Sequence, residues 1–180
     1  MQILLHACCA PCSTYVVKTM LARGLGVSLF FYNPNIHPYD EFQKRKETLN
    51  DWARTIDIKV HYPVNVDVAS WAQAVGIDVE NRCLACYRLR LAATAVRARE
   101  LEIEYFSTTL LISPYQNHAE IRIIGEEEAR RNGVNFYYED FRVGFASSQQ
   151  SAKELGLYRQ NYCGCFLSEF EKKNKKAAKK

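Results

Sequence analysis

Residues 2–12 read Gln2-Ile3-Leu4-Leu5-His6-Ala7-Cys8-Cys9-Ala10-Pro11-Cys12, a short apolar run that breaks directly into a turn carrying three thiols. The apolar part has the length of a buried strand. After the turn, from about Ser13, Val16, Val17, Met20 and Leu21 fall on one helical face, and Gly24 and Gly26 end that helix. Residues 27–32 then form a continuous apolar run, as expected of a strand covered on both faces, and stop at Asn33-Pro34-Asn35-Ile36-His37-Pro38.

The same alternation continues outward. A charged helix over 39–56 precedes a strand at 58–62 and a shorter helix near 68–75. An irregular segment leads to Cys83 and a long alanine- and arginine-rich helix through Leu101. A strand at 103–106, a polar stretch over 107–118, an acidic-then-basic helix ending near Gly133, a strand at 134–138 and a short helix around 151–155 complete the pattern. Strands and helices alternating at these lengths predict a single α/β domain, with a mainly parallel sheet, right-handed crossovers and helices on both faces. Ligands of such sheets sit beyond the carboxyl ends of the strands. Residues 8–12, 33–38 and 107–118 should therefore gather at one edge. One domain is expected over 1–170, with 171–180 as a lysine-rich, disordered tail.

The apolar fraction of 48% and charged fraction of 24% are those of an ordinary globular domain. No stretch reaches the roughly 18 uncharged apolar residues of a membrane span, and the amino terminus lacks the pattern of a signal peptide. The expected location is the reducing cytoplasm, with no membrane partner. The net charge of +4 resides largely in the tail, where residues 172–180 contain six lysines. Short terminal lysine runs are usually solvated, frayed ends, although they add salt-sensitive affinity for RNA phosphate.

All seven cysteines fall in close groups: Cys8, Cys9 and Cys12; Cys83 and Cys86; Cys163 and Cys165. In a reducing compartment this grouping points to metal or redox chemistry rather than a disulfide framework. A Cys-x-x-Cys turn aims both sulfurs the same way, so Cys9 and Cys12 with Cys83 and Cys86 would make a closed tetrahedral zinc site. That leaves Cys8, Cys163 and Cys165 unused, and a polynuclear iron–sulfur centre accommodates the full set better. Disulfide redox chemistry stands third. The first turn has a proline and no glycine, so backbone N–H groups are poorly placed to cradle a nucleotide phosphate there.

Five motifs in order carry a resemblance to a known family: 6–12 (His6 to Cys12), 31–36, Arg82-Cys83 to Cys86-Tyr87 with Arg90-Leu91, 107–118, and 157–165 (Leu157 to Cys165). Together they resemble the QueH family of cobalamin-independent epoxyqueuosine reductases. The resemblance runs from the first strand to Cys165. It implies a Rossmann-like fold similar to the ATP-pyrophosphatase (HUP) group, with cysteines where that group keeps its phosphate loop. It also implies reduction of the epoxide of epoxyqueuosine, at the wobble position of tRNA, to the alkene of queuosine. The cofactors implied are a [4Fe-4S] cluster and an additional mononuclear iron, fed by an external electron donor that the sequence does not identify. Some members carry an aspartate ligand where this chain has Cys12, so an all-thiolate set is expected here.

On this reading Cys9, Cys12, Cys83 and Cys86 hold the cluster, with Cys8, Cys163 and Cys165 near the second iron. Tyr32, Tyr115 and His118 are the candidate catalytic proton donors, because their loops should ring the pocket. His37 is a weaker candidate. Asn33, Asn35 and Gln116 offer neutral donors and acceptors for ring hydroxyls or a base edge, and Arg159 is a candidate for gripping a phosphate or offsetting the thiolates. Arg82, Arg88, Arg90, Arg97 and Arg99 offer a basic face for an anticodon stem, with Tyr87 available for stacking. Two other classes stay open: a tRNA sulfur-transfer enzyme, which needs nucleotide binding, and a non-enzymatic zinc module that binds RNA.

Overall fold

The computed structural model describes residues 1–64, 68–76 and 78–177. Five strands, β1 (Gln2–His6), β2 (Gly26–Phe30), β3 (Val60–His61), β4 (Tyr105–Thr108) and β5 (Asn135–Phe136), form one sheet in the order β3-β2-β1-β4-β5. Every neighbouring pair is parallel. The chain starts at the centre, builds outward to β3, then crosses back to the other side of β1 for β4 and β5. The carboxyl ends of β1 and β4 therefore flank the topological switch point, where open α/β sheets bind ligands. Ile3, Leu4, Leu5 and His6 are fully buried, as a central strand covered on both faces requires.

Helix α1 (Ala10–Ala22) begins three residues before Ser13. Pro11 sits in its first turn, where a missing backbone N–H removes no helical hydrogen bond. Cys12 is therefore helical, while Cys8 and Cys9 occupy the turn that precedes it. The remaining helices are α2 (Tyr39–Thr55), α3 (Val68–Val75), α4 (Arg82–Glu100), α5 (His118–Asn132), α6 (Phe145–Glu154) and α7 (Phe166–Ala177). Helix α5 starts at an Asn117 cap, whose side chain accepts from the Glu120 amide, and ends at Gly133 with φ of 66°. None of these helices is long and apolar enough to cross a membrane.

Two boundaries differ from the sequence reading in ways that matter for the site. Strand β4 covers Tyr105–Thr108 instead of 103–106, because Ile103 still bonds back to the Ala98 carbonyl and Glu102 takes a positive φ. The shift brings Thr109 to the strand's carboxyl end. Helix α7 runs through Ala177 into the segment expected as a disordered tail. Leu167 packs against the small core of Trp71, Val75, Cys86 and Cys165, and Glu169 pairs with Lys173 at 2.7 Å one turn on. Residues 178–180 lie outside the described part of the chain.

Candidate metal centre

The turn after β1 and the first turn of α1 bring the sulfurs of Cys8, Cys9 and Cys12 within 4.8 Å of one another, all three residues being buried. Cys8 Sγ and Cys9 Sγ are 3.6 Å apart. Cys9, with extended backbone, is the residue directly before the first turn of α1. Thr109, at the end of β4, holds the turn from across the sheet: the Cys8 amide donates to its hydroxyl oxygen at 3.1 Å, and the hydroxyl donates to Cys8 Sγ at 3.4 Å. From the other side, the Gln160 amide donates to Cys9 Sγ at 2.8 Å and reaches Cys12 Sγ at 3.7 Å. Hydrogen bonds from Cys12 and Cys9 hold the Cys8 thiol well below its ordinary pKa. Burial raises the Cys9 thiol, and the bonds to Cys8 and Cys9 raise that of Cys12.

The other four cysteines form a second group. Cys83 and Cys86, in the first turns of α4, and Cys163 and Cys165, ahead of α7, line one small cavity of about 30 Å³ together with Asn35 and Arg90. The grouping differs from the one expected, since Cys83 and Cys86 line a cavity with Cys163 and Cys165 and not with Cys9 and Cys12. Cys163 belongs to both spaces: it also lines a larger cleft, of about 280 Å³, with Cys8 and Cys12.

The Cys163-Gly164-Cys165 loop is set by α2 and by the loop after β2. Arg45, a buried residue of α2, donates to the carbonyls of Cys163 at 2.9 Å and Tyr162 at 3.0 Å, and its Nε to Glu41 at 2.7 Å. The Tyr158 hydroxyl completes Glu41. The His37 amide donates to the Gly164 carbonyl at 2.9 Å, and the Tyr162 hydroxyl donates to the His37 carbonyl. Gly164 has φ of 147°, and a Cβ there would come within 2.8 Å of the Asn35 amide. Asn33 ties the same loop to the cysteine turn by donating to the Ala7 carbonyl at 2.9 Å.

The sequence-predicted residues divide accordingly. Tyr115 and Gln116 line the larger cleft, Tyr115 at its mouth with 82% exposure and its ring edge-on to Phe145 at 6.0 Å. Gln116 accepts from the Tyr87 hydroxyl at 2.8 Å and directs its amide toward Cys163 Sγ at 3.8 Å. Asn35 faces the four-thiol cavity. Tyr32 instead lines a separate cavity with Phe30 and Tyr62, and His118 faces the Ser113 carbonyl at 3.3 Å and Asp140 at 3.9 Å. Arg159 is exposed and lines neither thiol space. His37 packs its ring on Trp71 and Phe166. The arginines expected to form a basic face on α4 divide: Arg82 pairs with Glu171, Arg88 with Glu127 and Glu128, and Arg97 with Glu100, Arg90 is buried, and Arg99 is exposed.

Arg45 is absent from the sequence reading, and Gln160 and Thr109 enter it only as members of the 157–165 and 107–118 motifs, with no role of their own. Gln160 and Thr109 carry no local signal, because their contacts span the fold. Arg45 had one: Glu41, Arg45, Leu49 and Trp52 form a single helical stripe, and all four are buried.

The donor set fits a thiophilic metal centre. Seven sulfurs with no carboxylate among them favour zinc or iron–sulfur over magnesium or calcium. Arg90 also lies fully buried beside the four-thiol cavity with one guanidinium nitrogen lacking a partner, as befits a place where thiolate charge accumulates.

Fold and site together define a parallel α/β protein with a polythiol centre at its switch point. The family model for epoxyqueuosine reductase QueH matches residues 3–171, and the chain belongs to that family of oxidoreductases. The epoxyqueuosine reductase QueH of Dehalococcoides mccartyi is 39% identical over 171 residues, covering 95% of this chain and 94% of the relative. That of Thermotoga maritima is 38% identical over 184 residues, covering 97% and 94%. Among solved structures, a predicted subunit of tRNA methyltransferase from Methanocaldococcus jannaschii superposes with a TM-score of 0.57 at 13% identity, over 86% of this chain and 76% of that one. It shares the fold.

Proposed function

We propose that the chain reduces the epoxide of epoxyqueuosine, at the wobble position of tRNA, to the alkene of queuosine. The observation that carries this reading is the juxtaposition of two thiol groups around a cleft that Cys8, Cys12 and Cys163 line in common. Family membership supplies the substrate class. Cys83, Cys86, Cys163 and Cys165 would hold a [4Fe-4S] cluster, and Cys8, Cys9 and Cys12 a further iron. When bound, these groups would supply single electrons from an external donor and a Lewis acid for the epoxide oxygen. The overall change consumes two electrons and two protons and releases the oxygen as water.

The protein's own residues bind, orient and protonate. Tyr115 and Phe145 at the mouth offer aromatic surface for an unpaired base of the anticodon loop. The amides of Gln116 and Gln149 line the wall and suit ring hydroxyls. The Tyr115 hydroxyl is the proton donor among the three candidates, since Tyr32 and His118 line other parts of the fold. Gln160 and Thr109 fix the sulfurs that close the cleft floor. A tRNA substrate puts the reaction in the cytoplasm.

The test is anaerobic reconstitution with iron and sulfide, metal and sulfide counting with a visible spectrum, then reaction with epoxyqueuosine-containing tRNA and a chemical reductant. Formation of queuosine with a cluster spectrum is expected; a protein that holds only zinc, or leaves the epoxide intact, sinks the reading. Cys165→Ala should abolish the cluster, whereas Cys8→Ala should lose a single iron and keep the sulfide.

A further inference from the structure

Two arginines are sealed in this fold, and their circumstances differ. Arg45, 1% exposed, meets the Glu41 carboxylate. Arg90, also 1% exposed, has no carboxylate partner among the described residues. Its Nε donates to the Cys86 carbonyl at 3.2 Å, its Nη2 has no partner, and its side chain lines the four-thiol cavity. A buried cation needs a compensating anion, and a guanidinium cannot escape by losing its proton. The charges that act on Arg90 most strongly after the cost of burial are those of Cys86, Cys163 and Cys8, so it feels both thiol groups.

We propose that Arg90 is a positioning residue of the redox centre: its guanidinium, which no carboxylate among the described residues offsets, lines the four-thiol cavity, and its permanent positive charge sets the reduction potential of the iron–sulfur cluster held there. The inference rests on the cluster assignment made above. A reduced cluster is more negative than an oxidised one, so a fixed cation close to the sulfurs favours reduction.

The experiment compares the reconstituted wild-type chain with Arg90→Lys and Arg90→Met, counting iron and sulfide and titrating the reduction potential by electron paramagnetic resonance. Arg90→Met is expected to shift the reduction equilibrium at least about tenfold toward the oxidised form, which is about 59 mV for a one-electron couple. Arg90→Lys keeps the charge and should stay near wild type. A cluster lost from Arg90→Met but retained in Arg90→Lys also supports the role of charge. Equal potentials and iron contents in wild type and Arg90→Met would overturn the inference, as would equal loss of iron from both variants, which would assign Arg90 a purely steric role. A wild-type chain that takes up no iron and sulfide would overturn the cluster assignment itself and this inference with it.

Discussion

Arg45 on α2 donates to the backbone carbonyl of Cys163 at 2.9 Å, so the Cys-Gly-Cys loop is held by a residue 118 positions earlier in the chain. The same guanidinium is spent on Glu41 and on Tyr162, and it is sealed from water. Arg45→Leu should destabilise the protein by about 3–5 kcal/mol, because it leaves the buried Glu41 carboxylate without its partner. Urea denaturation measures this. The double variant Glu41→Gln/Arg45→Leu should recover part of the loss, and both should bind less iron, since the loop carrying Cys163 and Cys165 loses its anchor.

Gly164→Ala tests the packing of that loop. The glycine's φ of 147°, and the 2.8 Å that would separate an added methyl group from the Asn35 amide, leave little room for a side chain. A destabilisation of about 1–3 kcal/mol is expected. Iron content should fall more than thermal stability, because the strain falls on the thiol loop and not on the sheet.

Gln160 touches the metal centre through sulfur alone. Gln160→Leu removes the 2.8 Å bond to Cys9 Sγ and should change the stability of the metal-free protein by about 1 kcal/mol or less. The metal in the Cys8, Cys9 and Cys12 group should become more easily stripped, which a timed chelator challenge reads directly. Unchanged stripping rates would remove Gln160 from the site.

Tyr115 separates stacking from proton donation. Tyr115→Phe keeps the ring against Phe145 and deletes the hydroxyl, so kcat should fall about 100-fold with little change in KM if the hydroxyl is the acid. Tyr115→Ala should raise KM as well.

His6 makes the metal-free protein sensitive to acid. Its Nε2–H donates to the Tyr32 carbonyl at 3.1 Å and its Nδ1 lies 3.0 Å from the Thr108 hydroxyl, which can donate to it, so the neutral ring is fully satisfied. Burial, and then the charge of Arg90, lower its pKa to about 4. The unfolded chain binds this proton near pH 6.5, so stability is complete above that value and declines as pH falls from 6.5 to about 4. The total loss is about 3 kcal/mol. Denaturation midpoints across this window should slope in the wild-type protein and flatten in His6→Gln.

The sequence alone determined the parallel α/β architecture, since an apolar run such as residues 2–6 followed by a helical face, repeated along the chain, has few other ways to bury its surface. It also placed Cys8, Cys9, Tyr115 and Gln116 at one edge, because they lie in the segments that follow β1 and β4, whereas Cys83, Cys86, Cys163 and Cys165 follow no strand directly. The tertiary structure decided how the thiols are grouped: Cys83 and Cys86 line a cavity with Cys163 and Cys165, because the loop after β2 and Arg45 hold the last pair against the start of α4. It also decided where the polar residues lie. Asn33 ties one loop to another, Arg90 is sealed inside instead of facing RNA, and Tyr32 and His118 turn away from the cleft. Periodicity records which residues are buried along one element, but not which elements meet. Those contacts depend on strand order, and the crossover that places β4 beside β1 leaves no mark in the turn of Cys8, Cys9 and Cys12 that it completes.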